Sequence, residues 1–562
     1  TTIFCGVGLL LSTSCQKDFE KINTNPNRPQ KPLSYALFNS SDKLILSNTR
    51  VYTTSGQMMR SWMQYTAQTT YTTESRFLYR DNSGDYLWRY PYKAAGNYKD
   101  IIELNTDPKT KNETAKYGSN ANQIAAARIM MAFDFNLLVE TFGDIPYYSW
   151  GGRDNPRFQA LQMDKYISPK YATQKEIYID LLKELKEAAD QIDESQPYVF
   201  IQGDRIFGTP QKMKRFANSL RLRIAVRVHE VADAELRSLA MTTINELKDG
   251  TKVMQSNADT VERPFDNDET NPSPIYRNYY VNNRTDYAPA NSFVQLLKGE
   301  RGSYGVDPRL QKYFAVKGLT KYQARDGYQE STDLSKYVGM PYGMEESMAD
   351  FQFNSGRDVS FFGKRILKAD YAEVYMEYAE VCFLLSEVNG WDSQWYKKGV
   401  IASMEKWGVD TTVATNFANG LPTANKENVI TQKYIALYMN PNEAWAEYRR
   451  TGYPQTLIKV GETVPLNKPT TSGETTYTFT STVAELTDLP ERLYYPTTYK
   501  LINFENYKKI KDWIGKIGDV KLVQSQYSQY SSRYDAFKRG EILPVFDPEK
   551  AGGALMDLGL YN

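Results

Sequence analysis

Only one histidine, His229, is available for catalysis in this chain of 562 residues. A serine or cysteine nucleophile needs a histidine base beside it, so any such triad would have to use this residue. His229 lies in "RVHEV" at the end of a helical pattern, a position that the helix dipole makes favourable. The chain also has no GxSxG, Walker A, HExxH or CxxC motif. We therefore expect an ordinary helix-terminal histidine and a protein that is not an enzyme.

Carboxylates leave one catalytic alternative open, because a glycoside hydrolase needs only two Asp or Glu residues. Acidic residues cluster in "DNDET", residues 266–270, which could hold Ca²⁺. That segment lacks the glycine and the terminal glutamate of an EF-hand loop, so we expect a solvated acidic turn. No cofactor is predicted, and a structural Ca²⁺ has no support beyond this cluster.

Aromatic residues interleaved with polar ones are the most informative feature, since the chain has 43 tyrosines and 8 tryptophans. Residues 64–92 carry eight aromatics among Arg, Asn, Gln and Asp. Aromatic faces pack against sugar C–H surfaces or peptide backbones, and the polar groups orient the ligand. Three surface candidates come from this segment: Tyr71, Arg76 and Tyr79. Three further aromatics are expected to begin the following helix and to point inward: Tyr86, Trp88 and Tyr92.

The loop-rich middle of the chain supplies further candidates of the same type. They are chosen because they are aromatic or polar and lie in segments without helical periodicity. These predicted ligand-binding residues are Arg277, Tyr280, Asn283 and Tyr342.

A cysteine follows a short apolar run in "GLLLSTSCQKDFEKINTNPN", and this arrangement is typical of a lipoprotein signal. Residues 3–11 are too short to span a bilayer. We expect cleavage before Cys15 and its acylation, with the polar, proline-containing residues 16–32 as a tether. Cys382, in "YAEVCFLLSEV", is expected to be a buried small hydrophobe.

Composition indicates a folded protein with a sizeable core: 41% of residues are hydrophobic and 24% are charged. The formal net charge is +1, which gives no broad attraction to nucleic acid. No stretch approaches 18 apolar residues, so we predict no transmembrane helix.

Helical patterns dominate on both sides of an irregular middle. Thr173 with Glu176 forms a capping-box pattern, and Thr209 precedes a proline at the first helical position. In the helix that follows Thr209, Arg223 and Arg227 lie off the apolar stripe. Helices are predicted at residues 120–141, 174–192, 210–228, 234–248, 292–298, 370–388, 394–406, 427–439 and 443–451, with a hairpin or extended loop at 455–485.

These patterns predict a mainly α fold built of tetratricopeptide-like helical hairpins, with a loop-rich subdomain that contains a few short strands. The predicted organisation is a signal peptide (1–14), a lipid-anchored linker (15–32), an N-terminal helical region (33–250), a loop-rich ligand-binding region (251–368), a C-terminal helical region (369–455) and an irregular C-terminal region (456–562).

Five segments in chain order resemble one family. They are "CQKDFEKINTNPNRP", "VETFGDIPYYSW", "RFANSLRLRIAVRV", "NEAWAEYRRTGYP" and "LPERLYYPTTYKLINFENY". Together they resemble the SusD/RagB-like outer-membrane lipoproteins of Bacteroidetes, in the divergent SusD-like branch. The resemblance covers residues 15 to about 510, and residues 511–562 do not match the ending expected of the family.

The resemblance implies four tetratricopeptide-like units, a loop-rich ligand-binding half and no catalysis. It also implies a surface-exposed outer-membrane lipoprotein that captures a glycan or oligopeptide for a SusC-like TonB-dependent transporter. Two alternatives stay open: a carboxylate-dependent glycoside hydrolase, and a helical-repeat scaffold that binds a protein partner but no small ligand.

Overall fold

Helices form most of the structure and follow one another along the chain. The computed structural model describes residues 32–50, 55–80, 82–483, 486–503 and 506–507. Cys15, nearly all of the predicted tether and residues 511–562 therefore lie outside the described residues.

The first half of the chain is a series of packed helices. The third helix packs on the first and the fifth. From the sixth helix to the eighth, each helix packs on the one before it. The helices are α1 (Ser34–Thr49), α2 (Ser55–Trp62), α3 (Asp85–Thr106), α4 (Lys111–Thr114), α5 (Asn120–Phe142), α6 (Gln174–Asp190), α7 (Pro210–Val228) and α8 (Ala234–Leu247).

Sequence-coded caps fix where two of these helices begin. The Thr173 hydroxyl accepts a hydrogen bond from the Glu176 amide at 3.3 Å, and the Glu176 carboxylate accepts one from the Thr173 amide at 3.0 Å. The Thr209 hydroxyl likewise accepts from the Lys212 amide at 3.3 Å. The predicted capping box and the predicted N-cap are therefore confirmed.

The middle of the chain contains short helices between long loops. They are α9 (Pro274–Tyr276), α10 (Asn291–Leu297), α11 (Leu310–Tyr313), α12 (Lys321–Asp326) and α13 (Glu346–Phe353), with a π-helical turn over Arg277–Val281. The helix predicted at 292–298 is confirmed. Sequence reasoning did not identify the other elements, because three to eight residues are too few to show a helical period.

Helices return after the middle and close the described chain. They are α14 (Tyr378–Val388), α15 (Ser393–Lys406), α16 (Thr411–Gly420), α17 (Lys426–Ala436), α18 (Pro441–Thr451) and α19 (Thr497–Ile502). Short 3₁₀ turns lie at Glu74–Arg76, Ala115–Tyr117, Asn257–Asp259, Leu334–Lys336, Asn354–Gly356 and Leu437–Met439.

Short antiparallel strands join distant parts of the chain in pairs. The strands are β1 (Thr66–Gln68), β2 (Ile145–Pro146), β3 (Tyr171–Ala172), β4 (Val261–Pro264), β5 (Tyr287–Pro289), β6 (Ala372–Met376), β7 (Thr463–Pro465) and β8 (Thr476–Thr478). The pairs are β1 with β5, β2 with β3, β4 with β6, and β7 with β8. The last pair confirms the hairpin predicted within residues 455–485.

The helix predicted over residues 370–388 is wrong in its first third. Residues 372–376 form β6, and the helix begins only at Tyr378. The strand pairs with β4, with Glu373 opposite Arg263. Asp370 and Glu373 have the spacing of a helix cap, but pairing with a distant strand prevails over this local pattern, as tertiary contacts often do.

A buried ionic network joins the helices of the two halves. Arg227 of α7 contacts Glu140 at 2.9 Å as well as Glu443 and Glu447 of α18, and Arg223 contacts Glu380 of α14 at 2.6 Å. The remaining contacts of Glu447 are with Lys433 at 2.8 Å and Arg450 at 2.9 Å. These contacts connect "RFANSLRLRIAVRV" with "NEAWAEYRRTGYP", two of the segments that resemble one family.

Candidate ligand-binding site

An open cavity of about 890 Å³ lies where β1, β5 and the first turn of α3 meet. Residues from the loop after β1, from the segment before β5 and from the start of α19 complete its wall. The lining residues used below are Gln68, Tyr71, Glu74, Arg80, Asp85, Tyr86, Arg89, Arg284, Asp286, Tyr287 and Tyr499.

The pairing of β1 with β5 brings the two polar segments of the cavity together. Gln68 lies opposite Tyr287 in the register of this pair. The Gln68 amide group then holds the next loop, since its nitrogen donates to the Tyr71 carbonyl at 2.6 Å and to Glu74 at 2.9 Å. Its oxygen accepts from the Ser75 amide at 2.8 Å. Gln68 therefore fixes the loop that carries Tyr71.

Tyr71 and Arg284 form one wall. The Tyr71 ring is 55% exposed, and the Arg284 guanidinium carbon lies 5.5 Å from its centroid. Asp286 holds this guanidinium with two hydrogen bonds, at 3.0 Å from Nε and 2.7 Å from Nη2. A cation over a ring face and a forked ion pair both restrict the orientation of the arginine.

Tyr86 and Arg89, at the start of α3, form a second part of the lining. Arg89 pairs with Asp85 at 2.7 Å, one turn earlier on the helix. Its guanidinium carbon also lies 5.4 Å from the Tyr86 centroid, so this part of the lining repeats the arrangement of tyrosine, arginine and carboxylate. Tyr499 of α19 packs on Trp88 at 5.7 Å and closes the cavity from the side.

The charges of the cavity balance. Three arginines and three carboxylates line it: Arg80, Arg89, Arg284, Glu74, Asp85 and Asp286. Asp85 and Asp286 each form an ion pair with an arginine of the lining, and Glu74 accepts a hydrogen bond from Gln68. Burial raises the pKa of Tyr287 and of Tyr499, so both phenols are neutral near pH 7 and can donate hydrogen bonds. Such a surface suits binding of a ligand through aromatic faces and fixed polar groups.

Comparison with known proteins identifies the family. Residues 26–472 match the family SusD-like_2, described as starch-binding and associating with the outer membrane. This protein belongs to the SusD-like family. The match spans most of the chain, so the resemblance read from the five segments is confirmed.

Solved structures of SusD-like proteins share the fold. A SusD homolog from Parabacteroides distasonis is 21% identical with a TM-score of 0.65, and the similarity covers 88% of this chain and 97% of that one. A chitin-binding SusD homolog from Flavobacterium johnsoniae is 22% identical with a TM-score of 0.60, covering 86% and 97%. The predicted mainly helical, SusD-like fold class is therefore confirmed.

A short stretch matches a different kind of protein. Over 56 residues the chain is 50% identical to scyllo-inositol 2-dehydrogenase (NADP(+)) of Bacillus subtilis, which is 10% of this chain and 17% of that enzyme. The chain thus spans less than a fifth of the length of this curated relative. The paired βαβαβ halves of a dinucleotide-binding domain need a longer segment than this.

Of the candidates from the first aromatic segment, the structure brings only Tyr71 to the cavity wall of this SusD-like protein. Arg76 is half-buried and lies near Glu345 at 3.5 Å, outside the lining. Tyr79 was predicted on the surface, and this is wrong. Its ring is 8% exposed and stacks on Tyr494 at 4.4 Å, and its hydroxyl donates to the Arg492 carbonyl.

The candidates from the middle of the chain form a separate surface on and after the π-helical turn. The Arg277 guanidinium donates to the Thr270 carbonyl at 2.8 Å, the Tyr280 hydroxyl donates to the Lys321 carbonyl at 2.8 Å, and the exposed Asn283 accepts from the Lys321 ammonium. They do not line the cavity, although Arg284 of its wall follows them directly. Whether they bind ligand stays a prediction.

Tyr342 cannot present its ring to a ligand. Its side chain is fully buried and packs edge-on against Phe479 at 5.3 Å, so the structure does not support its prediction as a ligand-binding residue. Tyr342 lies in a loop by sequence, but the β7–β8 hairpin covers it: the Tyr477 hydroxyl donates to its carbonyl at 2.6 Å.

Several cavity residues were missed or misread from the sequence. Trp88 is buried as predicted, whereas Tyr86 is half-exposed and faces the cavity. The alternation of tyrosine and arginine in "DYLWRY" could have signalled Tyr86 and Arg89. Arg284, Asp286 and Tyr287 follow the quoted loop candidates, but only the pairing of β5 with β1 brings them to Tyr71.

The other sequence candidates have structural roles. His229 caps α7, with its Nδ1 2.8 Å from the Val226 carbonyl oxygen, and Cys382 is fully buried. In "DNDET", Asp268 accepts hydrogen bonds from the Thr270 and Asn271 amides, each at 2.8 Å.

Among the described residues, no group of three or more His, Cys, Asp or Glu side chains could hold a metal ion. Within the same residues, no helix is both long and apolar enough to cross a membrane.

Proposed function

We propose that this protein binds a glycan in the cavity between β1, β5 and α3. One observation carries the proposal: two tyrosine–arginine–carboxylate groups line one cavity whose charges balance. Tyrosine faces pack on the C–H surfaces of sugar rings, and the ion pairs offer fixed donors and acceptors to hydroxyl groups.

Charge balance favours a neutral ligand over a charged peptide. Each aspartate in the lining is already paired with an arginine, so a charged ligand that engages Arg89, Arg284 or their aspartates would have to break an existing ion pair. The family is described as starch-binding, and one solved relative is described as chitin-binding. Both descriptions support a glycan as the ligand class.

Titration calorimetry with malto-oligosaccharides, chito-oligosaccharides and neutral oligopeptides tests this proposal. We expect binding to one of the glycans, and we expect Tyr71→Ala and Tyr86→Ala each to weaken it about tenfold, or about 1.4 kcal/mol. Tyr198→Ala is the matched control, because Tyr198 is 54% exposed and lies outside the lining. Binding of peptides alone, or equal affinity in all three variants, would contradict the proposal.

The enzyme alternative makes a different prediction. A glycoside hydrolase releases shorter products and loses this activity when one carboxylate is replaced. We expect chromatography of the glycan after long incubation to recover it intact. Shortened products that disappear in Asp85→Asn or Asp286→Asn would instead favour the hydrolase.

We further propose that Cys15 carries a lipid and that the protein delivers its ligand to a SusC-like TonB-dependent transporter at the cell surface. The signal-like segment before Cys15 and membership of a family described as associating with the outer membrane support this placement. Mass spectrometry of the native protein should find an acylated Cys15 at its N-terminus. An unmodified Cys15 with residues 1–14 still attached would contradict the anchor.

The transporter partner has its own test. Mild-detergent extraction of native membranes followed by affinity capture should recover this protein together with a TonB-dependent transporter. Capture of this protein alone from cells that express both would contradict the partnership. Capture with soluble proteins and no glycan binding would favour the scaffold alternative.

A further inference from the structure

A second cavity, of about 370 Å³, lies between α10, the segments on either side of the 3₁₀ turn Leu334–Lys336 and the loop of the β7–β8 hairpin. It shares no lining residue with the glycan cavity described above, so the two are separate. Its volume falls in the range of small-molecule sites, which begins at about 300 Å³.

The hairpin loop forms one wall of this second cavity, and side-chain contacts fix its position. The Asn467 amide group donates to the Gly339 carbonyl at 2.8 Å. The fully buried Gln352 accepts from the Lys468 amide at 3.2 Å and donates to the Lys468 carbonyl at 2.8 Å. A β-carbon at Gly339 would collide with the backbone of Asn291, so α10 packs directly on this segment. Walls that are held in place before a ligand arrives lower the cost of binding.

Five charged side chains belong to the lining, and two of its three lysines are already paired. The Lys298 ammonium lies 2.7 Å from Glu300, and the Lys468 ammonium lies 2.6 Å from Asp358. The hydrogen bond from Lys468 holds the pKa of Asp358 below its ordinary value, and Lys317 adds to this effect. Asp358 is therefore ionised at neutral pH and committed to Lys468. Lys317 forms no ion pair with a described residue, so the lining carries one positive charge in excess.

The charges immediately beside the lining do not remove this excess. The Lys317 amide donates to the Lys336 carbonyl at 2.8 Å, and the Lys336 amide donates to the Asp333 carbonyl at 3.2 Å. The side chains of Lys336 and Asp333 thus add one charge of each sign. The Asp333 carboxylate also accepts from the Ser335 amide at 3.0 Å and from the Ser335 hydroxyl at 2.7 Å.

Two amide side chains of α10 add neutral hydrogen-bonding groups to the same lining. Asn291 is only 4% exposed, and its oxygen accepts from the Ser292 amide at 2.9 Å, but its nitrogen has no hydrogen-bond partner among the described residues. Gln295 follows four residues later on the same face of the helix, and its side chain has no partner in that part of the chain either. A buried polar side chain with an unused donor is rare in proteins. Asn291, Gln295 and Lys317 therefore offer three donors to a ligand.

We propose that this cavity binds a small organic molecule through its carboxylate, with Lys317 as the counter-ion and the amides of Asn291 and Gln295 as hydrogen-bond donors. A single excess positive charge matches a carboxylate rather than a phosphate dianion. An acidic sugar and the carboxyl end of a peptide both carry this group. The inference goes beyond the proposed glycan binding and does not depend on it.

Matched pairs of ligands test the carboxylate directly. Saturation-transfer NMR and calorimetry on the full chain compare methyl galacturonoside with methyl galactoside, and N-acetylalanine with N-acetylalanine amide. In at least one pair we expect the carboxylate to bind about tenfold more tightly than its neutral partner, and more weakly as salt is added, because Lys317 is exposed. The pair that shows this difference identifies the source of the carboxylate. Equal or absent binding within both pairs, or binding of inorganic phosphate alone, would overturn the proposal.

Variants locate the binding. Lys317→Met removes the counter-ion, and Gln295→Glu adds a like charge with almost no change of shape, so each should weaken carboxylate binding about tenfold or more. Lys336→Met is the matched control, because this exposed lysine lies beside Lys317 in the chain contacts but outside the lining. It should leave the affinity unchanged. Thermal unfolding verifies that each variant is folded.

Two outcomes would contradict this location. Equal losses in Lys317→Met and Lys336→Met would indicate a general effect of charge and no site. Tyr71→Ala should keep carboxylate binding, because Tyr71 lines only the glycan cavity. Loss of carboxylate binding in Tyr71→Ala would assign the ligand to the glycan cavity, which overturns this inference and leaves the proposed function standing.

Discussion

Tyr71 adopts a backbone conformation that favours glycine, with φ at +53°. For a residue with a side chain this region costs about 1–2 kcal/mol, and strained residues cluster at functional sites. Here the strain accompanies a ring that is 55% exposed and lies against Arg284. The ring therefore contributes little burial to offset the cost, which is consistent with its selection for contact with a ligand.

Replacement of Tyr71 should separate stability from binding. Tyr71→Gly removes the strain, so we expect the free energy of unfolding to rise by about 1 kcal/mol while glycan affinity falls. Denaturant unfolding and calorimetry on the same preparations measure the two effects. Tyr71→Ala keeps the β-carbon, so it should lose affinity without gaining stability. Equal stability in the Gly and Ala variants would contradict the strain argument.

At the scale of elements, local signals predict where helices begin, whereas strand pairs depend on distant residues. Thr173 and Thr209 identify the starts of α6 and α7 because a hydroxyl satisfies amide groups of the first turn within four residues. Asp370 and Glu373 have a similar cap spacing, and residues 372–376 nevertheless form β6. The hydrogen bonds of that strand come from β4, more than 100 residues earlier, and no local pattern reveals them.

Loss of the capping box should weaken α6 measurably. Thr173→Ala leaves the Glu176 amide without its acceptor, so we expect about 1 kcal/mol less stability. Denaturant unfolding checks this value. Thr242→Ala is the control, because its hydroxyl bonds within α8 to the Ser238 carbonyl and is exposed. A loss in Thr173→Ala no greater than in Thr242→Ala would contradict the role of the cap.

At the scale of the whole molecule, the buried ionic network makes the two helical halves interdependent. Burial alone would raise the pKa of Glu447, but Arg450, Lys433 and Arg227 outweigh it and hold the pKa well below the ordinary 4.5. Because the folded-state pKa is lowered, the contribution of Glu447 is complete above about pH 4.5. It is lost as the pH falls from there through the folded-state pKa.

Glu447→Gln should be strongly destabilising at neutral pH, because it leaves three buried cations undercompensated. We expect a loss of about 3–5 kcal/mol at pH 7, and a smaller difference from the wild type as the pH falls below 4.5. Denaturant unfolding at several pH values measures both. The control is Glu103→Gln at the surface pair with Lys99, where we expect under 1 kcal/mol. A loss in Glu447→Gln that stays constant down to low pH would contradict the assignment.

The sequence by itself determined the helical fold class, the helix caps, the likeness to SusD-like proteins and one residue of the cavity, Tyr71. Those features depend on local periodicity, on capping groups and on short segments, which are all read along the chain. Only the tertiary structure decided that Arg223 and Arg227, off the apolar stripe of α7, are buried against glutamates of α5, α14 and α18. It also decided that Tyr342 is covered and that Arg284 reaches Tyr71, because both depend on strand pairs between residues far apart in sequence.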